Sequence, residues 1–119
     1  AAGLLQGKKA PSHWLSRPMF AEFGPIPVAE RVVVDGKFVT GGGVTAGIDF
    51  ALSLTAMIRG EEHAKLVQLS LEYDPQPPFR SGSPDDADQV IVERIRKLTK
   101  DSQSRRQANV SAAAVKLSG

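Results

Sequence analysis

Few residues in this sequence could take part in chemistry. A glycine run, Gly41-Gly42-Gly43-Val44-Thr45-Ala46, stands between a β-branched segment and a long apolar one. Ser12-His13-Trp14 lies near the beginning, His63 sits in mid-chain, and Asp49 and Ser53 share the i, i+4 spacing of a helix face. Cysteine is absent, which removes disulfides, thiolate metal ligands and a thiol nucleophile from this chain.

The glycine run fits the loose pattern G-x-G-x-x-A after a strand and before a helix, where a dinucleotide pyrophosphate would sit. That fingerprint also needs a second parallel strand with an acidic ribose ligand about 20 residues on. Here Gly60 leads straight into another helical segment, and no P-loop lysine follows, since the residues after Gly43 are Val44 and Thr45. Two other readings stay open. Small residues allow a strand end and a buried helix start to pack closely, with Thr45 as the N-cap, or free amides at the helix start face a site built mainly by other residues.

Ser12, His13 and Asp49 can be assembled on paper into a hydrolase triad, but they match no local nucleophile signature such as G-x-S-x-G. The plainer reading of His13 is a half-buried ring beside an anchoring tryptophan. His63 reads as solvated, and two distant histidines with no third ligand make no zinc site. Asp49 and Ser53 read as a local hydrogen-bonded pair. The basic residues Arg94, Arg96, Lys97, Lys100, Arg105 and Arg106 are interrupted by Asp101 and Gln103 and read as a solvated helix face, without the aromatic interleaving of a nucleic-acid site.

These residues must be positioned by a short list of elements. Ala1 to Gly7 reads as the last turns of a helix closed by Gly7, as though something precedes it. Lys8-Lys9-Ala10 is extended ahead of Pro11, and a short helix reaches toward Phe23. Arg31-Val32-Val33-Val34 and Lys37-Phe38-Val39-Thr40, parted by Asp35-Gly36, predict a hairpin with a type I′ turn. Thr45–Arg59 is apolar nearly all round and predicts a largely buried helix ending at Gly60, with a second apolar helix starting at Glu61-Glu62. A proline-rich arm follows Tyr73; Ser83-Pro84-Asp85-Asp86 then offers an N-cap, a first-turn proline and acidic first-turn residues for a C-terminal helix.

The chain has 119 residues, 41% hydrophobic and 24% charged, with a formal net charge of +2. This suits one folded domain. No secretory signal and no run of about 18 apolar residues is present, so the expectation is a soluble, cytoplasmic protein with neither membrane nor nucleic acid as partner. The inventory does not close, because two helices apolar on most faces have one hairpin and one short strand to cover them. The missing surface is expected from an N-terminal half or a companion chain; a compact all-helical packing is the rival arrangement.

Taken in order, Ala2-Gly3-Leu4-Leu5-Gln6-Gly7-Lys8-Lys9-Ala10, Ser12-His13-Trp14, Glu30 to Gly36, Thr40 to Leu52, Gln68 to Tyr73, Pro77-Pro78-Phe79 and Gly82-Ser83-Pro84 resemble the second half of the ThiJ/PfpI superfamily, and within it the isonitrile hydratases. The resemblance covers the chain up to about Asp86. It implies an α/β fold, residues 1–119 being the C-terminal half of a flavodoxin-like three-layer sandwich that is incomplete without its N-terminal half. It implies a homodimer acting on a small molecule with no metal or organic cofactor. Its chemistry rests on a cysteine thiolate that attacks the isonitrile carbon and leads to an N-formamide, helped by an acidic residue; both groups fall outside this chain, which alone is expected to be inactive. By position, Gly42, Gly43, Val44 and Thr45 form the substrate-binding wall beside the cysteine, and His13 lies on a loop approaching it as the catalytic candidate. Ala10-Pro11-Ser12-His13 departs from an Ala-Thr-Thr-His-like run, and proline removes an amide donor there. A glyoxalase- or deglycase-like activity, or a non-catalytic sensor domain, are the alternatives within the same resemblance.

Overall fold

Pro11 holds Ala10 out of the helical region, and Lys9–Pro11 runs extended as strand β1. The computed structural model describes residues 2–117. Residues 3–7, expected as the end of a helix, form successive turns. Gly3 (φ 69°) and Gly7 (φ 66°) both take positive φ, which a continuous helix would not allow. Strand β1 pairs in parallel with β2 (Ile26–Val28). The connection holds a four-residue helix α1 (Arg17–Phe20) and a 3-10 turn over Ala21–Phe23.

The expected hairpin is present. β3 (Val32–Asp35) and β4 (Phe38–Gly41) run antiparallel with Asp35 opposite Phe38. That register makes Gly36 and Lys37 the central turn residues, one position later than the sequence suggests. Only Gly36 has positive φ (63°), the pattern of a type II′ turn and not of type I′, which needs it at both residues. Asp35 thus stays in the strand. Its carboxylate accepts the Lys9 amide at 2.8 Å and the Lys8 ammonium at 3.4 Å, tying β1 to the hairpin.

Helices α2 (Gly47–Arg59) and α3 (Glu61–Ser70) meet at Gly60. Thr45 is not the N-cap of α2: Ala46 takes that position without a side-chain hydrogen bond. The Ser83-Pro84-Asp85-Asp86 signal closes a turn of its own, with the Ser83 hydroxyl donating to Asp86 at 2.8 Å and the Asp86 amide returning to Ser83 Oγ at 3.2 Å. Asp88 (ψ 131°) then resets the backbone, and α4 (Gln89–Val115) runs 27 residues without a break. Helix α4 crosses α1 and the 3-10 turn, where Gln107 and Ser111 both donate to Glu22 and Arg106 donates to Ser16 at 3.2 Å.

The basic cluster of α4 is exposed, as a solvated face should be. The apolar helices depart from expectation. No residue of α2 is buried, and α3 buries only Ala64 among the described residues. Leu66, Leu69 and Ile58 are 60%, 80% and 69% exposed. Among the described elements α3 and the hairpin make the main contacts with α2, and much of its apolar surface stays uncovered. The accessible surface is 8734 Å², about 2,500 Å² more than a compact folded monomer of this mass presents.

The Lys9 amide, opposed by desolvation and aided by Lys8, holds the Asp35 carboxyl below the ordinary carboxylate range. A carboxyl that titrates lower in the folded chain stabilises it above the unfolded value, about 3.9, and loses that contribution as pH falls through the folded value. Asp35→Asn is therefore expected to reduce stability near neutral pH and to flatten its fall below about pH 4, measured by urea denaturation across acidic pH.

Candidate functional site

Where β4 ends, the chain turns back over the start of β3 at very short range. The Gly42 amide donates to the Arg31 carbonyl at 2.7 Å. A Cβ on Gly42 would stand 2.8 Å from the Glu30 carbonyl oxygen and 3.2 Å from Pro11 Cβ. Two backbone segments meet here with no room for a side chain, which supports the close-packing reading of this glycine. Beyond it, Val44 is 97% exposed and Thr45 is exposed.

Arg31 fastens this turn to α2. Its Nε donates to Asp49 Oδ2 at 2.6 Å and its Nη2 donates to the Thr45 carbonyl at 2.9 Å. The Tyr73 hydroxyl donates to the other carboxylate oxygen, Oδ1, at 2.8 Å. Desolvation works against the Asp49 carboxylate, but Tyr73 and Arg31 together outweigh it and lower the Asp49 pKa. The Asp49 carboxylate in turn raises the pKa of Tyr73. Asp49 and Ser53 form the expected local hydrogen-bonded pair, with the Ser53 hydroxyl donating to the Asp49 backbone carbonyl at 2.7 Å, though on a half-exposed and not a buried face. The Asp49 carboxylate itself is bonded to Arg31 and Tyr73 and not to a Ser12–His13 pair.

His13 is exposed, not half-buried. Its backbone carbonyl accepts the amides of Ser16 (2.8 Å) and Arg17 (3.0 Å), which turns the chain into α1. Its Nδ1 accepts the Leu15 amide at 3.3 Å. The neutral ring therefore carries its proton on Nε2 and can donate from there. Trp14 lies beside it with ring centroids 6.1 Å apart, under the Arg96 guanidinium at 5.8 Å.

His13 and Gly42, Gly43, Val44 and Thr45 line one cleft of about 430 Å³. Arg17, Glu30, Arg31 and the Ser83-Pro84 turn line it too, and none of these was named as a site residue from the sequence. For Arg31 a signal existed, since an arginine directly before a strand and an aspartate in the first turn of the next helix are complementary charges. Arg17 Nε is buried in this region without a hydrogen-bond partner. Among the described residues no group of three or more His, Asp or Glu is placed to share a metal ion, and no helix is long and apolar enough to cross a membrane.

No family model matches the chain. It is 52% identical over 117 residues to isonitrile hydratase of Pseudomonas putida, an alignment spanning 98% of this chain and 51% of that protein. A crystal structure of a ThiJ/PfpI family protein from Pseudomonas syringae matches with a TM-score of 0.84 at 43% identity, over 95% of this chain and 45% of the other. The chain is a ThiJ/PfpI relative. A further similarity, 38% over 74 residues, is to the HTH-type transcriptional regulator CdhR of Pseudomonas aeruginosa, spanning 60% of this chain and 21% of that protein. The chain thus spans about half the length of isonitrile hydratase and of the ThiJ/PfpI crystal structure. The resemblance read from the sequence holds, and with it a mixed α/β architecture.

Two outcomes test this geometry. Gly42→Ala is expected to cost about 1–3 kcal/mol of stability, as overpacking against an immobile carbonyl does, read from the denaturation midpoint. Tyr73→Phe removes a hydrogen bond to the ionised Asp49, so the Asp49 carboxyl should titrate higher than in the parent when followed by carbon-detected NMR.

Proposed function

We propose that this chain is the C-terminal half of a flavodoxin-like three-layer sandwich that hydrates isonitriles to N-formamides through a cysteine thiolate located outside residues 1–119. The observation that carries the reading is the 52% identity with isonitrile hydratase across 98% of the chain. The gathering of His13 and Gly42–Thr45 in one cleft supports it. The exposed apolar faces of α2 and α3 are then the surface that the N-terminal half, or the second subunit of a homodimer, would cover.

The reaction balances with water alone. The thiolate forms a C–S bond to the terminal carbon of R–N≡C, and that carbon takes a proton to give a thioimidate. Water adds to the same carbon, the C–S bond breaks, the thiolate leaves and nitrogen takes a proton, giving R–NH–CHO. No electrons are exchanged with a partner, so no redox cofactor is required. In this chain His13, whose Nδ1 accepts the Leu15 amide, offers its Nε2–H to the nitrogen or oxygen on which charge gathers. The Gly42–Thr45 turn, held by Arg31, forms the wall against which the isonitrile lies.

The protein carrying this segment is expected to convert an isonitrile to its N-formamide, with a transient covalent adduct on a cysteine outside the 119 residues, detected by intact mass. His13→Ala should lower kcat/KM about 100-fold or more, the size of a lost proton donor. Hydration by the purified 119 residues alone would sink the mechanism. Turnover of methylglyoxal instead of the isonitrile would shift the reading to aldehyde chemistry. Turnover of neither would favour a sensor module, in keeping with the segment shared with the regulator.

A further inference from the structure

Arg17 follows His13 by one turn, and its amide donates to the His13 carbonyl at 3.0 Å, so a backbone bond fixes the two residues together. Both line the cleft of about 430 Å³. The two arginines of that cleft differ. Arg31 commits its Nε and Nη2 to Asp49 and Thr45. Arg17 Nε is buried without a hydrogen-bond partner, and among the described residues no ion pair reaches its terminal nitrogens. Glu30, the acidic side chain of the cleft, is exposed and likewise unpaired among the described residues. Two arginines against one glutamate leave the cleft with a positive balance.

A guanidinium stays charged at every pH a folded protein meets, and its planar fork of donors matches the two oxygens of a carboxylate. With Nε walled off, the Arg17 guanidinium has lost water on one side and gained no partner there, a cost that an anion on its terminal nitrogens would offset. We propose that Arg17 is a carboxylate anchor in this cleft, and that the substrate class is isonitriles whose substituent ends in a carboxylate. This rests on the hydratase reading. The reacting carbon of an isonitrile is terminal, and the substituent leaves from the nitrogen on the opposite side. With that nitrogen at His13, a linker of two or three carbons carries the carboxylate toward a residue one turn, about 5.4 Å, further on. Glu30 opposes the same ligand by like charge, which makes it the second determinant of the preference.

The test compares 3-isocyanopropanoate with its methyl ester in the protein that carries the thiolate. Arg17→Gln is expected to lower the acid-to-ester ratio of kcat/KM about tenfold or more, the scale of a lost hydrogen bond to a charged group. Arg17→Lys, which keeps the charge without the fork, is expected to lower it less. Glu30→Gln is expected to raise the ratio, a change that loss of folding does not produce, so it decides the matter if Arg17→Gln fails to fold. A ratio unmoved in all three variants, with the ester still hydrated by the parent, overturns the anchor and leaves the hydratase reading standing. Equal losses with both substrates in the Arg17 variants, and no change of ratio in Glu30→Gln, also overturn it, making a carboxylate of the covering half the arginine's partner. If the parent protein hydrates neither acid nor ester, the hydratase reading falls and the anchor with it.

Discussion

At Gly42 two backbones pass so closely that a single methyl carbon would collide with the Glu30 carbonyl. The layout of the cleft depends on that approach. It lets the end of β4 cross the start of β3, so the chain leaves Gly43 beside Arg31 and enters α2 within reach of its guanidinium. Pro11, at the end of β1, packs against the same spot, which also brings the strand leading to His13 alongside. One contact without a side chain thus sets the separation between the two candidate walls.

Energies decide what the Arg31–Asp49–Tyr73 group contributes. Arg31 and Asp49 are 58% and 32% exposed at their side chains, and exposed ion pairs contribute at most about 1 kcal/mol. The network is too solvated to be a main source of stability. Its value is geometric: two hydrogen bonds from Arg31, one to Thr45 and one to Asp49, and a third from Tyr73 to Asp49 tie the turn to the start of α2. Apolar burial is the larger unused resource, since covering a side chain such as Leu66 or Leu69 contributes about 1.5–3 kcal/mol each.

The sequence was most legible where local chemistry suffices. Asp35-Gly36 between β-branched runs marked the hairpin, and Gly60 between two apolar segments marked both helix ends. It misled where distant partners intervene. Thr45 looked like an N-cap, but its carbonyl is held by Arg31 and the cap passes to Ala46. Ser83 looked like the start of α4, but Asp86 satisfies it within one turn. His13 and Gly42–Thr45 were named by resemblance and do share a cleft, whereas Tyr73 reaches Asp49 only through a tertiary contact that no spacing encodes.

Between α2 and α3 there is no loop. Gly60 ends one helix and begins the other at φ 90° and ψ 158°, a backbone conformation essentially reserved for glycine. A residue gained or lost between Gly60 and Ala64 would swing the rest of α3 by about 100° and slide it by about 1.5 Å. Ala64 would then leave the contact that buries it. Along this segment the count of residues is more tightly held than their identity, so related sequences can exchange side chains freely on the outer face of α3 yet should tolerate no change of length at its root.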